Sequence, residues 1–243
     1  YAIAHMKIGL KLYETGYRFD SEERARIYLT DALEPAKNFS GTFSFAIPAL
    51  ANEDEAVNDI KKDQRFTVVI GNPPYSSISS NMSNWIRESV KHYLNIDGEQ
   101  IKEKSKRNHL QNDYIKFMRI ADIACSQSPL AVFSYITSNS YLDGRTLRGL
   151  RWNLMQTFDH IKILNLWGDS KKRNAKKGDK NVFDITEGVA ICVATRSDTL
   201  DATSIFYSDI QGTRKQKYQE LLQDSLNTNW QKIASTPQNF LFT

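Results

Sequence analysis

The chain has little of what holds a metal, cradles a nucleotide phosphate or spans a membrane. Only two cysteines and four histidines occur in 243 residues. Cys125 falls in a helical pattern and Cys192 in a strand pattern, far apart; neither has the close spacing of a metal or redox pair, so core thiols in a reducing cytoplasm are expected. His5, His92, His109 and His160 are scattered, none in a His-x-x-x-His unit, and no metal is expected. No phosphate loop ending in Gly-Lys-Ser/Thr and no Gly-x-Gly-x-x-Gly is present, which argues against the commonest nucleotide cradles. No apolar run approaches the about 18 residues of a membrane span, and no charged, apolar, small-residue leader opens the chain, so a soluble protein is expected. Internal repeats are absent. A net charge of only +4 is compatible with an anionic partner without requiring one.

At 40% hydrophobic, the chain can bury one sizeable core, and one α/β domain is expected rather than two. Residues 1–17 place Ile3, Met6, Leu10 and Tyr13 on one helical stripe, with Gly16 as an end signal. No initiator Met or cap precedes that helix, so the chain is expected to come from something longer. Residues 26–29 read as a short strand ending at Thr30-Asp31, 53–62 as a helix and 66–70 as the next strand. Further helices are expected at 85–94, 113–126 and 145–158, and strands at 130–136, 160–166 and 188–194. Strands alternating with helices predict an α/β, mostly parallel sheet with helices on both faces. One domain is expected over 1–210, and 211–243 reads as a linker and the start of a following module.

Residues 66–75 read Phe-Thr-Val-Val-Ile-Gly-Asn-Pro-Pro-Tyr. An apolar, β-branched run fits a central strand, and two prolines forbid its continuation because neither can donate to a ladder. Asn72-Pro73-Pro74-Tyr75 therefore sits at the carboxyl end of a strand, where open α/β sheets bind ligands. Its chemistry suits an aromatic amine. The lone pair of such an amine is delocalised into its ring, and drawing both amino protons toward acceptors frees it. The Asn72 side-chain oxygen supplies one acceptor and the Pro73 carbonyl the other, held by a fixed φ near −65°. Tyr75 offers a face for the base. A base in duplex DNA would have to be flipped out to reach it, with stacking worth roughly 1–3 kcal/mol. The competing reading is a strand-ending turn, since Asn and Pro are common turn residues.

Three basic stretches flank this motif. Lys102, Lys104, Lys106 and Arg107 lie in a polar stretch at 95–112; Arg145, Arg148 and Arg151 recur every third residue and are expected to share a helix face; and residues 168–181, including Lys171, Lys172 and Arg173, hold six Lys/Arg in fourteen. Each can meet a nucleic-acid backbone, and each can equally be a solvated surface.

The whole chain resembles the adenine-N6 DNA methyltransferase segment of type ISP, single-polypeptide restriction-modification enzymes. The matching stretches are, in order, residues 1–8, 27–34, 69–75 with 79–81, 112–117, 146–151 and 181–185 before Gly188-Val189. Only the Asn-Pro-Pro-Tyr loop is a specific motif; the others carry weight as an ordered set. The resemblance implies a Rossmann-like fold, S-adenosylmethionine as methyl donor, double-stranded DNA as partner and a bacterial cytoplasmic setting. It also implies covalently linked nuclease, helicase/translocase and target-recognition domains. It places catalysis on Asn72, Pro73, Pro74 and Tyr75, the donor's adenine at Asp31 and Phe117, and base stacking at Phe183. Asp31 also reads as a helix cap, and Phe117 and Phe183 as core residues. The family's Gly-rich loop for the donor's methionine part is not found, so the fold is expected to be incomplete at its N-terminus. Two further readings stay open. One is transfer to a protein glutamine or an RNA guanine amine, which use a similar loop; the other is a non-catalytic DNA-docking module.

Overall fold

The computed structural model describes residues 1–20, 23–36, 48–63, 65–75, 82–101, 109–169, 177–197, 202–223, 229–234 and 240–243. They form two compact units, Tyr1–Gln64 and Arg65–Thr243.

In the first unit, α1 (Ala2–Glu14) ends as its sequence dictates. Gly16 takes φ +92°, the Gly16 N–H bonds the Tyr13 carbonyl and the Tyr17 N–H the Leu12 carbonyl, the paired bonds of a left-handed helix stop. Its apolar stripe is exposed: Ile3, Met6, Leu10 and Tyr13 are each more than half open. The second helix, α2 (Pro48–Asp63), contributes Val57 to the few buried side chains of this unit. The expected strand at 26–29 does not form. Those residues have no ladder partner among the described residues, and the Ile27 N–H turns back to the Ala25 carbonyl; a strand without a partner leaves its backbone to local bonds.

The second unit is built on a six-stranded sheet. Its strands are β1 (Val68–Gly71), β4 (Ala131–Ser138), β5 (His160–Trp167), β6 (Val189–Arg196), β7 (Ser204–Asp209) and β8 (Gln231–Ile233), in the spatial order β1-β4-β6-β5-β7-β8. A separate two-residue ladder joins β2 (Asn95–Ile96) to β3 (Glu99–Gln100). β1 pairs parallel with β4 and β5 with β7, so these four run one way; β6 and β8 run the other, which makes the sheet mixed where a mostly parallel one was expected. Inverting β6 puts its start, like the end of β5, at the carboxyl edge of the four parallel strands.

Three helices flank this sheet: α3 (Asn84–Val90), α4 (Asp113–Ser126) and α5 (Arg148–Thr157). The α4 residues Tyr114, Ile115, Met118, Ala121 and Cys125 are buried at helical spacing, and the helix packs on β1 and β4. Along β4, Ala131, Phe133 and Tyr135 are buried while the alternate Val132, Ser134 and Ile136 are half-buried, the period of two of a strand with one strongly covered face. The chain beyond residue 210 belongs to this unit rather than to a linker. There α6 (Arg214–Leu222) buries Lys217, β8 pairs with β7, and Phe242 is fully buried with its N–H on the Leu142 carbonyl.

Candidate active site

The carboxyl edge of the sheet gathers the ends of β1, β4, β5 and β7. Pro73 is buried and Asn72 exposed, as expected where a proline anchors a loop that presents its neighbour. The Tyr75 hydroxyl lies 3.1 Å from Asn72 Oδ1 and 3.2 Å from the Ile136 carbonyl of β4, with its single proton shared between the two acceptors. Half-burial pushes the Tyr75 phenol up to about 12 by desolvation, so it stays a donor at neutral pH. The loop is thus closed on itself and tied to the next strand. Asn72 Oδ1 keeps a second lone pair, so one tyrosine bond does not exhaust it.

Phe183 approaches the same place from the segment between β5 and β6. Its ring centroid lies 6.1 Å from that of Tyr75 at an interplanar angle of 51°, and both rings pack against the cluster of Leu166, Val182 and Val189. Neighbouring ends are joined by amides: Asn139 Nδ2 donates to Asn165 Oδ1, and Asn165 Nδ2 to the Tyr207 hydroxyl, linking β4, β5 and β7 at this edge.

The segment carrying Phe183 is pinned at both sides. Asn181 Nδ2 donates to the Glu187 carbonyl and its Oδ1 accepts from the Phe183 N–H. Gly168 takes φ +86°, and a Cβ there would lie 2.5 Å from the Asn181 Cα, so only glycine fits this turn. Asp179 accepts from the Gly168 and Gly212 N–H groups and pairs with Lys217 at 2.7 Å, both side chains being essentially fully buried.

The remaining predicted residues are placed unevenly. Phe117 is a half-buried member of α4, next to its core face rather than in it. Asp31 lies in the first unit, is exposed and caps no helix; its carboxylate closes a turn by accepting from the Leu33 N–H at 2.8 Å, and its carbonyl accepts from Lys61.

The shared basic face of Arg145, Arg148 and Arg151 is corrected by the structure. Arg145 sits in a 3-10 turn (Arg145–Leu147) and is exposed, Arg148 is half-buried, and Arg151 is completely buried. The Arg151 guanidinium donates to the carbonyls of Phe240, Tyr141 and Gly144, which removes it as a phosphate contact. Burial lowers it to about 10, still a cation at neutral pH. Steps of three in a 3.6-residue helix drift by about 60° each, so such a series does not keep one face. Lys171, Lys172 and Arg173, the basic residues 102–107 and the matching stretch 79–81 lie outside the described residues. Among the described residues no group of three or more His, Cys, Asp or Glu is placed to hold a metal, and no helix is long and apolar enough to cross a membrane.

Sequence reasoning missed Arg214, Lys217 and Tyr218, which hold the Phe183 segment. Thr213-Arg-Lys-Gln216 carries the signal that could have found them, a Ser/Thr-x-x-Glu/Gln start of helix, and the structure shows both of its reciprocal bonds.

The fold is a mixed sheet whose parallel strands are flanked by helices, and its likeness to known proteins is specific. Residues 9–172 match the Eco57I restriction-modification methylase model; the chain belongs to this family. Among solved structures, it is similar to the ATP-dependent type ISP restriction-modification enzyme LlaBIII bound to DNA, at 26% identity and TM-score 0.71 over 88% of this chain. A nuclease-deletion mutant of the type ISP enzyme LlaGI in complex with a DNA substrate mimic aligns over 99% of this chain at 24% identity and TM-score 0.79. The DrdV–DNA complex aligns over 79% at 23% and 0.64. The chain spans only 15%, 23% and 19% of these chains, respectively. No curated protein matches.

Proposed function

We propose that this chain carries the substrate half of a site that methylates the N6 amino group of a flipped-out adenine in double-stranded DNA, with S-adenosylmethionine as donor, within a larger restriction-modification enzyme. The observation that carries the reading is the Asn72–Tyr75 loop: an exposed carboxamide beside a buried proline at the sheet's carboxyl edge, crossed by Tyr75 and faced by Phe183. Asn72 Oδ1 and the Pro73 carbonyl accept the two amino protons, returning electron density to the nitrogen. No strong base is needed, which suits a loop without histidine. Tyr75 and Phe183 supply the stacking faces. Their 6.1 Å separation is too small for a base between them, since two contacts at about 3.5 Å need about 7 Å. The base therefore enters by parting the rings or by stacking on one of them.

The donor supplies an electrophilic methyl group. Phe117 offers a half-buried aromatic face for its adenine, while no described segment forms a Gly-rich cradle for its methionine part; Asp31, in the first unit, is proposed for the same ligand on the sequence resemblance alone. Arg145, exposed at the start of the α5 region, and the half-buried Arg148 are proposed for a DNA phosphate. Lys171, Lys172 and Arg173 are proposed for the same role on charge alone. Nuclease, translocase and target-recognition domains belong to the same reading.

The test is Asn72→Ala in the full-length enzyme, assayed for labelled methyl transfer to DNA, RNA and a release-factor-like protein side by side, with modified nucleosides resolved by mass spectrometry. Wild type should yield N6-methyladenine in DNA alone, and the variant none, with an unchanged circular dichroism spectrum. Undiminished transfer by the variant would sink the assignment.

A further inference from the structure

Residues 177–188 contain neither helix nor strand, yet this stretch must hold Phe183 beside Tyr75. A backbone outside regular structure needs partners for its carbonyls from elsewhere. Four consecutive carbonyls here find theirs on one helix. Lys217 Nζ donates to the Lys180 carbonyl at 2.7 Å, Arg214 Nε to Asn181 at 2.9 Å, the Tyr218 hydroxyl to Val182 at 2.6 Å, and Arg214 Nη2 to Phe183 at 2.9 Å. Arg214, Lys217 and Tyr218 stand at i, i+3 and i+4, hence on one face of α6. The helix is itself fixed at its start by the Thr213–Gln216 capping box and by the buried Lys217–Asp179 pair.

The two planar donors of Arg214 span the carbonyls on either side of Val182, and so set the backbone from which the Phe183 ring projects. The guanidinium also meets the Asp184 carboxylate at 2.7 Å, but that partner is almost wholly exposed, so the ion pair adds little and the carbonyl bonds are the function of the residue. Both α6 and Phe183 lie beyond residue 172, where the family match ends.

We propose that α6 is the positioning element of the base site: Arg214 and Tyr218, anchored by Lys217, hold residues 180–183 and thereby set the Phe183 ring against Tyr75. Arg214 and Tyr218 touch no reacting atom; they act through Phe183. The proposal rests on the base-methylation reading above. It predicts that Arg214 governs the rate of the methylation step more than the affinity for DNA, because a ring displaced by about 1 Å spoils the approach of the base without removing backbone contacts.

The experiment is single-turnover methylation of DNA by the full-length enzyme under saturating DNA and S-adenosylmethionine, with DNA affinity and thermal midpoint measured alongside. Arg214→Ala should slow the step about 10- to 100-fold, with DNA affinity within about twofold of wild type. Phe183→Ala should slow it comparably, and Arg214→Ala should add almost nothing in the Phe183→Ala background, since the two act as one unit. Tyr218→Phe, which removes one hydroxyl and keeps the ring, should give a smaller loss in the same direction. A wild-type rate in Arg214→Ala, or a full additional loss in the double variant, overturns the proposal. If Arg214→Ala lowers rate, DNA affinity and thermal midpoint together, the helix is merely structural and the proposal also fails. Failure of the underlying reading looks different: the wild-type enzyme leaves DNA unmethylated, or Asn72→Ala retains activity.

Discussion

Helices α1 and α4 carry apolar residues at the same spacing but to opposite effect. In α4, Tyr114, Met118, Ala121 and Cys125 vanish against the sheet of the second unit; in α1, Ile3, Met6, Leu10 and Tyr13 remain open. Period alone identifies a helix face, and burial depends on whether a complementary face is supplied. The sheet supplies it in the second unit. In the first, Leu33 and Val57 are the buried apolar side chains among the described residues, and much of the observed tethering is polar: Tyr1 and Arg24 on Glu53, Lys61 on the Asp31 and Glu34 carbonyls.

The comparison is tested most strongly at Lys217. Its ammonium pairs with buried Asp179 and donates to the Leu166 and Lys180 carbonyls. Lys217→Met leaves a carboxylate buried without its counter-charge, which costs about 3–5 kcal/mol. All four tryptophans, Trp85, Trp152, Trp167 and Trp230, lie in the second unit, so denaturant unfolding followed by their fluorescence reads that loss. A shift below about 1 kcal/mol would mean that Asp179 is solvated and that the end of this unit is not the rigid part.

Much of the second unit was legible because local and global signals agreed there. The strands around 130–136, 160–166 and 188–194 and the helix at 113–126 appear within about two residues of their expected bounds, each having enough apolar residues at one period to leave no alternative. The Asn-Pro-Pro-Tyr loop was legible because proline ends a strand by chemistry rather than by context. What escaped depends on partners distant in sequence. The strand expected at 26–29 had the composition of a strand and, among the described residues, no ladder partner. In sequence Arg151 is indistinguishable from Arg145 and Arg148; it is the carbonyls of Tyr141, Gly144 and Phe240 that close round it. The role of the polar helix α6, in the stretch expected as a linker and the start of a following module, lies in hydrogen bonds to residues more than thirty positions away.

A smaller effect is expected at Gly149, where α5 meets the 3-10 turn that follows α3. A Cβ there would lie 2.0 Å from the Tyr93 carbonyl oxygen, and backbone cannot swing aside as a flexible side chain does. Gly149→Ala should cost about 1–3 kcal/mol through forced separation of the two elements, read by the same fluorescence. A neutral result would show that the helical face of this unit yields easily, and would weaken the contrast with the first.

The smallest effect belongs to the α1 stripe, and it is the sharpest test of the contrast. Ile3 and Met6 are 66% and 59% exposed, so replacing both with serine removes little buried area and should change unfolding free energy by no more than about 0.5 kcal/mol. It should, however, reduce binding of an apolar fluorescent dye, because an open stripe of large side chains is what such a dye finds. Circular dichroism at 222 nm is the readout for stability here, since the first unit contains no tryptophan. If the double variant instead loses more than about 1 kcal/mol, the stripe is packed in solution; the two helices then differ in which surface covers them and no longer in whether they are covered.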